Sequence, residues 1–294
     1  VVRVLRRASG LLKGLLGEFP LDDLPKACGF TPGATTEYPR KRAALHNKWA
    51  TASHVTFHAL PYAEAFRRWA GLAVGGEFVI DNFNSVFTVP KDAWCDRAAT
   101  RPVTWNGFLQ KGTGRIAARR ARRAGLLRAT AQAEHRLLAK LGSATGLLSA
   151  RDLKSASDNV ALMLVAAVFP PSWTVVLTDL REPEGILPDG TTIVWEMLST
   201  MGNGTTFEIE TLLFWALVSA CCGNGSLVST YGDDIIFPQQ YAEKVDYILT
   251  FCGFTVNAKK SSRKGVAFME SCGGHFYQGR SIKPMYITNL PETL

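Results

Sequence analysis

The sequence predicts an α+β fold: an antiparallel sheet with helices packed on one of its sides. Three observations carry this expectation. Apolar periodicity over the second half of the chain changes in the order strand, helix, strand, strand, helix, strand. The stretch "VSTYGDDIIFP" at residues 228–238 has the alternation and tight turn of a hairpin. A composition of 47% hydrophobic and 20% charged residues supplies a globular core over 294 residues, enough for one large domain or two ordinary ones.

Taken in order, residues 1 to about 30 read as a basic amphipathic helix followed by a Pro-containing turn. From there to about residue 100 the chain reads as irregular, with short strands at "GEFVI" and "NSVFTVP". The segment "KGTGRIAARRARRAGLLRATAQAEHRLLAKL" has helical propensity. Its arginines, Arg115, Arg119, Arg120, Arg122 and Arg123, form either a solvated face or a phosphate-contacting one. "TGLLSARDLKSASDNVALMLVAAVF" reads as a strand, a polar turn and a helix opening near Ser157 or Asp158. Pro188-Asp189-Gly190 marks a turn between two short strands. "STMGNGTTFEIETLLFWALVSACC" reads as a Gly-rich loop feeding a long apolar helix, N-capped by Thr205 or Thr206. After the hairpin come a helix near 240–251 and a strand at "GFTVNAKKS".

A formal charge of +8 leans towards a polyanionic partner, nucleic acid before an anionic membrane surface. No apolar run is long enough to span a bilayer, and the start lacks a signal-peptide layout. Six cysteines without a CxxC pair read as buried thiols of a reducing cytoplasm. Val1 and the final "MYITNLPETL" read as cuts within a longer polypeptide.

The chemistry centres on Asp233 and Asp234, adjacent carboxylates in an apolar, β-branched run where charge is costly. At a hairpin tip both can reach one site, and their repulsion raises one pKa unless a cation shares them. Mg²⁺ or Mn²⁺ removes that penalty; an ordinary Asp-containing turn is the alternative. Asp152 closes the strand "TGLLSARD". Were that strand beside "LVST", three carboxylates could hold two metal ions about 4 Å apart, as in-line nucleotidyl displacement requires. Otherwise Asp152 caps a turn. Asp158 either caps a helix or bonds a sugar hydroxyl. "MGNGTTF" offers backbone N–H groups as a phosphate or sugar cradle, although no GK[ST] follows. Lys91 and Arg97 flank a short loop and read as surface charge or as partners of a triphosphate.

In order, "DLKSASD", "STMGNGTTFEIE" and "YGDD" resemble motifs A, B and C of viral RNA-dependent RNA polymerases. The wording is similar to the replicase beta subunit of single-stranded RNA phages, the levivirus or Qbeta type. The similarity extends through "TPGATT", "TVPKDAWCDR", "GFTVNAKKS" and "ESCGGHFYQG". The resemblance implies a right-hand polymerase with fingers (residues 1–137), a palm (138–270, with a fingers insertion at about 170–197), and a primer-grip hairpin with the start of a thumb (271–294), most of the thumb missing. It implies Asp152, Asp233 and Asp234 as ligands of two Mg²⁺ ions, with Mn²⁺ able to substitute. It places Asp158 at the incoming ribose, and Gly202, Asn203 and Thr206 in the loop at the templating pair. Lys91 and Arg97 match the basic motif gripping the triphosphate. Lys259 or Lys260 matches the lysine that protonates pyrophosphate, and Lys260 is taken as that group.

The implied partners are RNA template and product, ribonucleoside triphosphates and, in the host cytoplasm, elongation factors Tu and Ts with a ribosomal protein. The asparagine that reads the 2′-hydroxyl in many relatives has no counterpart here, where the helix reads "FEIE" with Glu210 on that turn. A reverse transcriptase shares the palm but carries an apolar residue in place of Gly232 and a bulky one in place of Asp158. A non-catalytic RNA-binding subunit of polymerase shape is the reading from another class.

Overall fold

The computed structural model describes residues 1–71, 76–91, 95–262 and 265–283. The chain begins with α1 (Val2–Leu16), α2 (Leu24–Ala27), α3 (Leu45–Thr51), β1 (His54–Val55), α4 (Leu60–Trp69), β2 (Val79–Ile80), β3 (Phe83–Pro90) and β4 (Asp96–Arg101). There follow α5 (Thr104–Arg123), α6 (Ala131–Thr145), β5 (Leu148–Arg151), β6 (Leu153–Lys154), α7 (Leu162–Val168), α8 (Pro171–Asp179), β7 (Glu184–Ile186) and β8 (Thr192–Val194). The last part comprises α9 (Thr206–Cys221), β9 (Ser229–Tyr231), β10 (Asp234–Pro238), α10 (Ala242–Phe251), β11 (Thr255–Val256), β12 (Phe268–Ser271), β13 (Gly274–Tyr277) and β14 (Arg280–Ser281).

Two sheets frame the site. The central one has the order β5-β10-β9, all antiparallel; the other has the order β4-β3-β7-β8, where β3 and β7 run parallel. Helix α9 is apolar nearly all round and accordingly lies inside the core, with α1 along it. α1 buries Val4, Ala8, Leu12 and Leu16, one residue every fourth position, as an amphipathic helix should.

Several sequence expectations change here. The central sheet is covered on both sides rather than one. Ile235 and Phe237 point into the main core with α9 and α10, while Ala150 and Ile236 pack with Ala139 of α6 and Met269 of β12. The reason is visible in β10, whose Ile235, Ile236 and Phe237 are all fully buried, so neither face can be left to water. The strand before Asp152 pairs with β10, "DIIFP", and not with β9. The most apolar strand takes the centre and leaves β9 at the edge.

The basic helix expected as one piece is two, broken after Arg123 at Gly125, whose φ of 80° favours glycine. Its first half starts earlier, at Thr104. The supposedly irregular stretch to residue 100 contains α3, α4 and the β3–β4 hairpin. Ser157–Asn159 is a single 3₁₀ turn, and the helix waits until Leu162. The β12–β13 hairpin starts at Phe268, and residues 284–294 of the expected 271–294 segment lie outside the described residues.

Phe237 fills the core under the central strand. Phe237→Ala should lower unfolding stability by about 3–5 kcal/mol, read from the urea midpoint.

Candidate active site

Tyr231 and Asp234 pair across the hairpin, leaving Gly232 and Asp233 as its two-residue tip. Gly232 has a φ of 61°, and Asp233 is not among the positive-φ residues. Glycine at the first central position alone is the type II′ pattern that suits twisted strands. The Gly232 N–H donates to Thr211 Oγ1 at 2.9 Å, which anchors the tip to α9. On the neighbouring strand Ile235 faces Arg151, so Asp152 emerges beside the tip, one residue beyond the end of β5. Arg151 is 6% exposed and pins this strand end through Asp246, at 2.6 Å, and through Ser149 and the Ser262 carbonyl.

A cavity of about 700 Å³ opens at this junction. Asp152, Asp158, Asp233, Lys91, Arg97, Lys260, Asn203 and Thr206 all line it. Of the lysine doublet, Lys260 lies on the cavity, with its Nζ 3.5 Å from Asp152 Oδ2 and 3.6 Å from Glu270 Oε1, whereas Lys259 is not on the cavity wall. Two expected residues are not on that wall. Asp234 points to the other side of the tip, accepting from Ser271 Oγ at 3.3 Å and from the Cys272 N–H at 3.2 Å. Gly202 is packed against the Thr100 carbonyl of β4, where a Cβ would collide.

Four amides of the anion cradle expected in "MGNGTTF" are already taken. The Asn203, Gly204, Thr205 and Thr206 N–H groups already donate to Thr200 O, Gln110 Oε1, Asn203 Oδ1 and Asn203 O. Neither threonine hydroxyl caps α9: Thr205 Oγ1 donates to Asn203 Oδ1, and Thr206 Oγ1 to Thr200 O. The glycines serve close packing, since a Cβ on Gly204 would stand 2.9 Å from the Lys111 nitrogen of α5.

Burial raises the pKa of Asp233, and Asp152 adds to it; Lys260 and Arg97 oppose the rise. Asp234 is pushed up to about 6 by burial and then by Asp233. Burial also raises Asp158 against the pull of Ser157 and Arg97. Glu210, on α9, is pushed up to about 8 by burial and then by Asp233 and Asp158, and its Oε1 is buried without a hydrogen-bond partner. Burial pulls Lys260 down, but Asp152 and Glu270 outweigh it and its pKa rises.

The sequence matches that of known proteins. The family model described as RNA replicase, beta-chain, matches residues 1–294. The chain belongs to the RNA replicase beta-chain family. The RNA-directed RNA polymerase beta chain of Escherichia phage MS2 is 41% identical over 278 residues, covering 91% of this chain and 50% of that protein. The corresponding subunits of Enterobacteria phage SP and Escherichia virus Qbeta are each 38% identical, covering 97% and 93% of this chain and 50% and 47% of theirs. The chain thus spans about half the length of the curated relatives it matches. Among solved structures, a chain described as an RdRp complex superposes with a TM-score of 0.53 at 12% identity, over 95% of this chain and 28% of that one. That likeness concerns the fold, a mixed α+β polymerase fold.

Within this replicase-family site, the described residues contain no group of three His, Cys, Asp or Glu side chains ready to hold a metal. The donor set nonetheless fits a hard divalent cation: the carboxylates of Asp152, Asp233, Asp234 and Glu210 are partly or fully desolvated and mutually repelling, and one buried Glu210 oxygen has no partner. Sequence reasoning missed Asn257, whose Nδ2 donates to Asp152 Oδ1 at 2.7 Å and whose N–H donates to the Asp152 carbonyl at 2.9 Å. Its only signal was its place in "VNAKK". Glu270, the second partner of Lys260, was likewise unforeseen.

Glu210 sets a pH dependence. Its pKa rises on folding from 4.5 to about 8, so folding favours the protonated form. Its contribution to stability is fully present below about pH 4.5 and is lost as pH rises towards 8. In metal-free buffer Glu210→Gln should stabilise the protein more at pH 8 than at pH 5, by a difference above about 1.4 kcal/mol. Equal gains in the urea midpoint at the two pH values would contradict the assignment.

Proposed function

We propose that the chain carries the catalytic centre of a template-directed RNA polymerase that replicates a viral RNA genome. The observation that carries this reading is the convergence of Asp152 and Asp233, from different strands, with Lys91, Arg97, Asp158 and Lys260 on one cavity. In the reaction a primer 3′-hydroxyl gives up its proton to water, its oxygen bonds to the α-phosphorus of a ribonucleoside triphosphate, and the bond from that phosphorus to pyrophosphate breaks. Asp152, Asp233 and Asp234 would hold two Mg²⁺ ions, or Mn²⁺, whose chemistry when bound is neutralisation of the reacting oxyanions.

The remaining residues bind, orient and move protons. Lys91 and Arg97 grip the triphosphate by charge-assisted hydrogen bonds. Lys260, held by Asp152 and Glu270, offers a proton to the leaving pyrophosphate. Asp158 contacts the ribose, Asn203 and Thr206 border the templating pair, and Gly202 lets their loop approach β4 without a Cβ. The catalytic power is mainly positioning and charge compensation.

Residues 1–137 would be the fingers, 138–270 the palm with an insertion at about 170–197, and the segment from 271 a primer-grip hairpin. Pairing of β7 with β3 supports grouping that insertion with the earlier sheet. The RNA template and product would be the macromolecular partners in the host cytoplasm. Family likeness suggests elongation factors Tu and Ts and a ribosomal protein as well. No helix among the described residues is long and apolar enough to cross a membrane.

The test is Mg²⁺-dependent ribonucleotide incorporation on an RNA template by the complete subunit carrying this sequence. Asp233→Ala should lower incorporation on the order of 100-fold or more. Wild-type incorporation by that variant would refute the assignment.

A further inference from the structure

A buried imidazole lies behind Asp234 and has no part in the chemistry above. His135 of α6 is fully buried. Its Nδ1 is 3.0 Å from Ser271 Oγ on β12, and its Nε2 is 2.9 Å from Ser229 Oγ on β9. Ser271 has a single hydroxyl proton and gives it to Asp234 Oδ1, at 3.3 Å. Its oxygen therefore accepts from His135 Nδ1–H. That tautomer leaves Nε2 as an acceptor for the Ser229 hydroxyl. The polar chain runs in one direction, from Ser229 through His135 and Ser271 to Asp234.

The same helix holds the turn that supplies the second donor. Arg136 Nε donates to the Cys272 carbonyl at 3.0 Å, and the Cys272 N–H donates to Asp234 Oδ2 at 3.2 Å. Each Asp234 oxygen thus receives one proton from the β12–β13 hairpin, and adjacent residues of α6 stand behind both donors. The Cys272 thiol also bonds this carboxylate, so one of its four lone-pair sites remains for a cation.

We propose that His135 is a positioning residue which, through Ser271, orients Asp234 and keeps it a good ligand for a divalent cation. This rests on the polymerase reading of the carboxylates. The two hydrogen bonds offset part of the repulsion from Asp233 and lock the side chain, as outer-shell partners do for metal-binding carboxylates. The hairpin thereby joins the catalytic machinery at two points, Asp234 and, through Glu270, Lys260.

The probe is Mn²⁺, with binding to the purified chain followed by the electron paramagnetic resonance of the free ion. Asp233→Ala serves as the control for the underlying reading. If wild-type protein binds no Mn²⁺, or Asp233→Ala binds it as tightly, the metal site itself is refuted. If that control behaves as expected, His135→Leu and Ser271→Ala should each weaken Mn²⁺ about tenfold. Their double variant should be no weaker than either single, because both cut one chain. His135→Asn, which keeps an N–H near Nδ1, should restore most of the affinity. A merely structural histidine would change the melting temperature and leave Mn²⁺ affinity where it was. Unchanged or tighter binding in Ser271→Ala, a variant that removes one hydroxyl and leaves the core intact, would overturn the proposal even if His135→Leu fails to fold.

Discussion

The register between β5 and β10 is the constraint on which the site depends. Ile235 opposite Arg151 and Ile236 opposite Ala150 bring the end of one strand to the start of the other. Asp152 and Asp233 meet only because of this pairing. A shift by one residue would turn Ile235 and Phe237 out of the core and Asp234 into it, so burial enforces the register. The apolar strand that makes charge expensive at the tip is also what holds the charged tip in place.

Electrostatics then divides the cavity. Carboxylates crowd the end formed by the central sheet and α9, where burial raises Asp158, and burial with repulsion raises Asp233 and Glu210. Lys91 and Arg97 lie on the β3–β4 side, and Lys260 comes from the loop after β11. An anionic triphosphate and a divalent cation are the complementary pair for such a division. Desolvation makes the repulsion matter, because the same charges in water would be largely screened.

The Gly-rich loop shows one motif serving a different physical end from the one its composition suggests. The amides of Asn203, Gly204, Thr205 and Thr206 are engaged within the protein, and its glycines allow the loop to lie on α5 and β4. Gly114 of α5 meets the loop from the other side, where a Cβ would stand 2.5 Å from the Gly204 carbonyl. The loop offers side chains, Asn203 and Thr206, to the cavity.

Local chemistry was legible in the linear sequence. The hairpin followed from "YGDD" between strand-formers, α1 from its spacing and α9 from its apolar run. These features are set by short-range rules, namely turn geometry, periodicity and the cost of a charge among apolar neighbours. Asp152, Asp158, Asp233, Lys91 and Arg97, which line one cavity, were grouped by the family resemblance and not by such rules. What needed the tertiary structure was everything decided by which partner a group finds. Strand order, the second covered face of the sheet, the choice of Lys260 over Lys259, the Asn257 brace on Asp152 and the turn of Asp234 towards Ser271 are all of this kind. Each depends on contacts between residues distant in sequence, and hydrogen-bond partnership over such distances leaves no periodic trace in the chain.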